Sequence, residues 1–157
     1  MTLVSADEAI ELTYKHLKET DSFGTEIEAF LVRYLLVVIC AEIEKSVLNM
    51  IVERVKRVDD MQLVSYVDIT VGRQFRRIRT SEMGRLLGYF DKNLRTKFML
   101  KINDSEEQVS FNNIVDNRHN MAHGKATVQM TFTELRGHYS KCLNILDEFR
   151  DILELDS

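Results

Sequence analysis

A chain of 157 residues is long enough for one domain with a substantial core and short for two. With 45% hydrophobic and 29% charged residues, it has the make-up of a folded globular protein and not of a disordered one. The formal net charge of −4 excludes nucleic-acid binding by bulk positive charge, so any such contact needs a local basic patch.

There is no proline and no tryptophan, and there are six glycines. Proline breaks helices and punctuates loops, so its absence permits long helices and argues against a loop-rich β fold. Cys40 and Cys142 both sit in apolar helical patterns, as buried thiols do, and they lack metal-site spacing. The N-terminal MTLVSADEAIEL has no basic segment followed by an apolar one, which argues against a signal peptide. The longest apolar run, residues 34–41, falls far short of the ~20 residues of a membrane span. A reducing, cytoplasmic setting with no membrane contact is expected.

Ser5 with Glu8 has the spacing of a capping box and predicts the first helix, with Ala6, Ile10, Tyr14 and Leu17 on its apolar stripe. Thr25 with Glu28 predicts a second helix running to about Val58. One stripe carries Ile27, Leu31, Tyr34, Val38, Ala41, Leu48, Val52 and Val55. A second carries Leu36, Ile39, Ile43, Val47 and Ile51. Apolar residues nearly all round predict a central, buried helix. Asp59 and Asp60 would cap a short helix over 61–67. Residues 68–80 are ambiguous, because Val67, Ile69 and Val71 alternate as in a strand. Ser81 predicts a fourth helix with Met83, Leu86, Leu87 and Phe90 on one face, extended after an irregular piece by 98–102. A polar loop over 103–107 follows. Ser110 opens a fifth helix, with Phe111, Ile114, Val115, Met121 and Ala122 on one side and Gly124 at its end. Thr131 with Glu134 opens the last, whose stripe is Leu135, Cys142, Ile145, Leu146, Phe149, Ile152 and Leu153. The expected fold is all-α, an antiparallel bundle of about five to six helices forming one domain over 1–157.

The fifth helix carries an anomaly. Arg118 falls on its apolar stripe, where a guanidinium is costly unless it is paired or faces a wet cleft. His119 and His123 follow, four residues apart on one helical face. Arginine offers a planar fork matched to phosphate oxygens and keeps its charge. Histidine, with an ordinary pKa of ~6.5, exchanges protons near neutrality. Together they suit RNA cleavage without a metal or cofactor. One group takes the proton of the ribose 2′-hydroxyl, another protonates the leaving 5′-oxygen, and arginine steadies the charged transition state.

The run Asn117-Arg118-His119-Asn120-Met121-Ala122-His123-Gly124 resembles the signature of the HEPN superfamily, an arginine, a polar residue, a short spacer and a histidine. The long early helix, the Ser-Glu-Met-Gly-Arg-Leu-Leu-Gly-Tyr-Phe segment at 81–90 and the long final helix agree with the branches associated with RiboL-PSP. The resemblance implies an all-α homodimer in which two motifs meet in a cleft and form a composite, metal-independent endoribonuclease site, as in many toxins and antiphage effectors. It implies that Arg118 and His123 are catalytic. His119 stands where asparagine is commoner, and adds either a second acid/base group or a hydrogen bond. Asn120, Asp116 and Glu44 would support the site, and Lys125 would touch the RNA. An antitoxin or sensor protein is a further expected partner. Other members of the superfamily only bind RNA, nucleotides or proteins, which is the alternative function.

Plainer readings stand beside these. Arg118 would pair with Glu42 or Glu44 and staple the bundle. His119 and His123 have zinc-ligand spacing, but Asn120 replaces the glutamate of H-E-x-x-H and no third ligand follows. His16 and His138 read as core-edge residues. Arg73, Arg76, Arg77 and Arg79 are four arginines in seven residues. They would contact an RNA backbone or form a solvated face. Arg54, Lys56 and Arg57 would extend that patch.

Overall fold

The computed structural model describes residues 2–74, 78–122 and 130–154. Among these there are seven helices and no strand: α1 (Val4–Glu19), α2 (Glu26–Lys56), α3 (Met61–Gln74), α4 (Thr80–Phe90), α5 (Lys92–Ile102), α6 (Glu106–Ala122) and α7 (Phe132–Ile152). The all-α class holds, with slightly more helices than expected. Two separate helices, α4 and α5, replace the single extended one, because Asp91 breaks the chain and caps α5 by accepting the Asn93 N–H at 2.8 Å.

The strand-like alternation at 67–71 misleads. Val67 and Val71 pack on the core at helical spacing from buried Val64, while Ile69 faces outward. Helix α3 therefore continues to Gln74. It starts as expected, with Asp60 Oδ1 accepting the N–H groups of Gln62 and Leu63.

Helix α2 is the spine, packed against α1, α3, α6 and α7. It is not buried all round. Val32, Leu35, Leu36, Ile39, Cys40, Ile43, Val47, Met50 and Ile51 form its inner face. Ile27, Tyr34 and Ala41, from the other stripe, are exposed. Helix α7 buries every residue of its expected stripe. Its capping box is formed, since Glu134 Oε2 accepts the Thr131 N–H at 2.8 Å and Thr131 Oγ1 accepts the Glu134 N–H at 3.3 Å.

Distant carboxylates on α2 hold two helix starts, in place of the expected local box at α1 and in addition to the formed one at α7. Helix α1 begins at Val4 with no side-chain cap from its own sequence. Glu42 instead accepts the Ala6 N–H at 2.9 Å, a carboxylate at a helix N-terminus, where the dipole favours it. Buried Glu28 accepts the N–H of Gly24 and, at 2.7 Å, that of Phe132. It thereby ties the α1–α2 turn to the first residue of α7. On α1, Thr13 is buried and Tyr14 is turned outward, where its ring stacks on Phe132.

Burial pushes the Glu42 carboxyl up, but hydrogen bonds from Ala6 and Ser5 outweigh it and hold the group below the usual carboxylate range. A depressed folded-state pKa stabilises the fold above the unfolded value, and that stability is lost as pH falls through the folded one. Glu42→Gln should therefore lower the melting temperature at pH 7. The gap to wild type should close on acidification through and below the ordinary carboxylate range. A gap that persists undiminished at low pH would show that the charge of Glu42 is not what holds α1.

Candidate functional site

Helix α6 starts one turn earlier than expected, because Ser105 Oγ accepts the Gln108 N–H at 3.1 Å. Ser110 is then an interior residue, buried, with its hydroxyl 3.0 Å from His138 Nδ1. His138 is thus a core-edge residue as expected, whereas His16 is exposed. Phe111, Ile114 and Val115 pin the first turns of α6 into the core. Towards its C-terminal end the burial fades. Arg118, His119 and Met121 are half-buried, and Asn120 and Ala122 are exposed. Basic groups in this last turn sit at the negative end of the helix dipole.

Arg118 lies with Cys40, Ile43, Glu44, Ile78 and Val115 around a crevice of about 10 Å³, room for at most about one water. Of the two carboxylates considered for it, Glu44 is the neighbour, and Glu42 is committed to α1. Burial pushes the Glu44 carboxyl up, and the Arg118 charge opposes that. The Cys40 thiol is pushed up to about 12 by burial, with Arg118 pulling the other way, so it stays protonated and inert.

Asp116 faces Arg79 at 3.2 Å, in a half-exposed ion pair. One turn earlier, Asn112 Oδ1 accepts the Thr80 N–H at 3.1 Å. These contacts fasten the start of α4 to α6 just before the motif, and the local spacing of the sequence gave no sign of them. Helix α4 is capped by Glu82, which accepts the Arg79 N–H at 3.1 Å, and Ser81 is its second residue. Of the arginine cluster, Arg79 is thus a structural clamp. Arg73 lies in the last turn of α3, but its side chain, with Arg76 and Arg77, falls outside the described residues. Ile78, which follows Arg77 in sequence, is buried and lines the Arg118 crevice. His123, Gly124 and Lys125 also lie outside the described residues. Arg54, at the end of α2, faces Glu154 at 3.8 Å.

Among the described residues no group of three or more His, Cys, Asp and Glu is gathered as a metal site. No helix there is long and apolar enough to cross a membrane.

A family model for RiboL-PSP-HEPN matches residues 2–155. The chain belongs to this HEPN family. No curated protein and no solved structure matches it. The HEPN match spans the seven helices of the described residues.

Proposed function

We propose that this HEPN chain is a metal-independent endoribonuclease, active as a homodimer. The observation that carries this is Arg118. It stands at the end of α6, half-buried beside Glu44, over a crevice too small for any nucleotide. A phosphate-binding arginine without a pocket suits a site at the surface, completed by a second copy. Arg118 would bind the scissile phosphate bidentately and steady the charge that grows on it. His123 would exchange the proton, taking it from the 2′-hydroxyl or giving it to the leaving 5′-oxygen. The 2′-oxygen bonds to phosphorus as the bond to the 5′-oxygen breaks. The products are a cyclic phosphate and a 5′-hydroxyl. His119 and Asn120 would assist, and Lys125, Arg73, Arg76 and Arg77 would hold the RNA backbone. A toxin or antiphage effector, working in the cytoplasm and restrained by an antitoxin or sensor protein, is the setting that suits such an enzyme.

The test is cleavage of total cellular RNA with EDTA present, by wild type and by His123→Ala. Cleavage that survives EDTA and disappears in the variant supports the enzyme. A second reading is favoured by Glu44, whose carboxylate competes with phosphate for Arg118. It is a HEPN module that binds RNA, nucleotide or a protein without turnover. Binding abolished by Arg118→Ala, with no cleavage by wild type on any RNA, would establish that reading instead.

A further inference from the structure

A second concavity lies over the later turns of α2. Helix α3 packs on α2, while α4 packs on α5 and α6. The two stand on either side of a cleft whose floor is Ile51 and Val55 of α2. Val67 and Val71 of α3 form one wall, and Leu86 and Phe90 of α4 form the other. The inner part holds about 220 Å³ and is lined by aliphatic and aromatic side chains. Past Val55, Val67 and Phe90 it widens into a mouth of about 700 Å³ at the C-terminal end of α2. The charged residues at this mouth are Arg54, Arg57, Asp91 and Glu154. Glu154 stands 3.8 Å from Arg54, and Asp91 is committed to the start of α5. Arg57 is exposed and joins no ion pair among the described residues. Its charge is left for a ligand.

We propose that this cleft binds a small amphiphilic anion, a straight-chain carboxylate of about eight carbons, with its chain between α3 and α4 and its head at Arg57. The lining sets the class, since apolar walls with a few polar groups at one end are the usual form of a small-molecule site. The guanidinium fork of Arg57 matches a carboxylate. The chain length follows from α2. Ile51 and Arg57 are six positions apart, about 9 Å at ~1.5 Å per residue. An extended chain advances ~1.2 Å per bond, a third of the ~3.6 Å of an extended residue, so about seven or eight bonds cover that distance. The volume agrees independently. At about 30 Å³ for a group the size of water, the inner part takes about seven such groups. One turn of a helix, ~10 Å across and ~5.4 Å long, fills on the order of 400 Å³, so a partner helix is too bulky to enter. The inference stands on this cleft alone and is independent of the ribonuclease reading.

The experiment titrates the full chain with octanoate, butanoate and octylammonium, followed by calorimetry and by the methyl resonances of isoleucine, leucine and valine. The expected result is one octanoate per chain with a Kd below about 1 mM, a modest return for ten heavy atoms. The methyl shifts should centre on Ile51, Val55, Val67 and Val71. Butanoate and octylammonium should bind at least tenfold more weakly. Arg57→Glu changes an exposed side chain, so the fold should persist while octanoate binding weakens at least fivefold. Val67→Trp should fill the cleft from its half-buried wall and abolish binding. No one-to-one binding of octanoate at about tenfold higher concentration than the expected Kd would overturn the proposal, as would methyl shifts centred elsewhere. Octylammonium binding as well as octanoate, with Arg57→Glu having no effect, would overturn the assignment of an anion. Octanoate that splits an oligomer without forming a one-to-one complex would give the cleft to a second copy and overturn the proposal.

Discussion

Arg118→Ala is expected to cut RNA cleavage by about 10²–10³-fold, the loss typical of removing one preorganised donor to a developing oxyanion. Arg118→Lys should recover only part of it, because an ammonium keeps the charge but not the planar fork. The readout is single-turnover cleavage at saturating enzyme, which separates the chemical step from RNA affinity. The same substitution has a second, measurable effect. Burial raises the Glu44 carboxyl and Arg118 restrains that rise, so without the arginine the group titrates higher still. A carboxyl with a raised folded-state pKa binds its proton more tightly folded than unfolded. Stability is then lost as pH climbs from the ordinary carboxylate value through the raised one. The Arg118→Ala protein should therefore lose more stability than wild type does as pH rises through and above the ordinary carboxylate range. Adding Glu44→Gln should remove that excess without restoring cleavage. If the double variant regained activity, the role of Arg118 would be to neutralise Glu44 and not to bind phosphate.

The largest effect on stability is expected at Glu28. Its buried carboxylate accepts two backbone N–H groups, from Gly24 and from Phe132. Glu28→Ala would take the acceptor from both donors, at about 1–3 kcal/mol for the buried amide of Phe132 and less for that of the exposed Gly24. The fold should lose about 2–4 kcal/mol, a fall of about 5–15 °C in melting temperature for a chain of this length. Glu28→Gln keeps one carbonyl oxygen but turns an NH₂ towards the other donor, so it should fall between. Thermal denaturation followed by circular dichroism decides this. A Glu28→Ala protein melting within a degree of wild type would mean that water replaces the carboxylate at both amides.

The sequence spoke clearly wherever structure was local. Thr131 with Glu134 and the unbroken stripe from Leu135 to Leu153 are features of one helix, and α7 forms as they indicate. It was misleading where a distant residue completes the structure. Ser5 with Glu8 has the right spacing for a cap, yet Glu42, 36 residues away, takes the amide at Ala6. Thr25 does cap α2, accepting the Ile27 N–H at 3.2 Å, but Glu28 turns to Gly24 and Phe132 and does not close the box. An outward Ile69 beside inward Val67 and Val71 imitated a strand, since alternation over so few residues does not distinguish the two periods. At the site, the half-burial of Arg118 near a carboxylate was open to sequence reasoning, which left Glu42 and Glu44 as alternatives, because a guanidinium on an apolar stripe demands a compensating charge. Asp116, expected to support the site, also pairs with Arg79, a contact the sequence reading did not anticipate. That pairing depends on how the start of α4 lies against α6, which no periodicity encodes.

The tie at Glu28 also orders events in time. Its partner amide at Phe132 lies 104 residues further along the chain. A loop of that length closes late and slowly, because the entropy of closure must be met before the contact returns any energy. On the ribosome, α1 and α2 emerge well before the residue that satisfies Glu28, and α6 emerges before the helix it packs against. A nascent chain carrying the whole Asn117–Gly124 motif therefore still lacks the support of α7. The described part of α6 is thus synthesised before the helix that packs on it, and gains its full packing only once α7 has emerged.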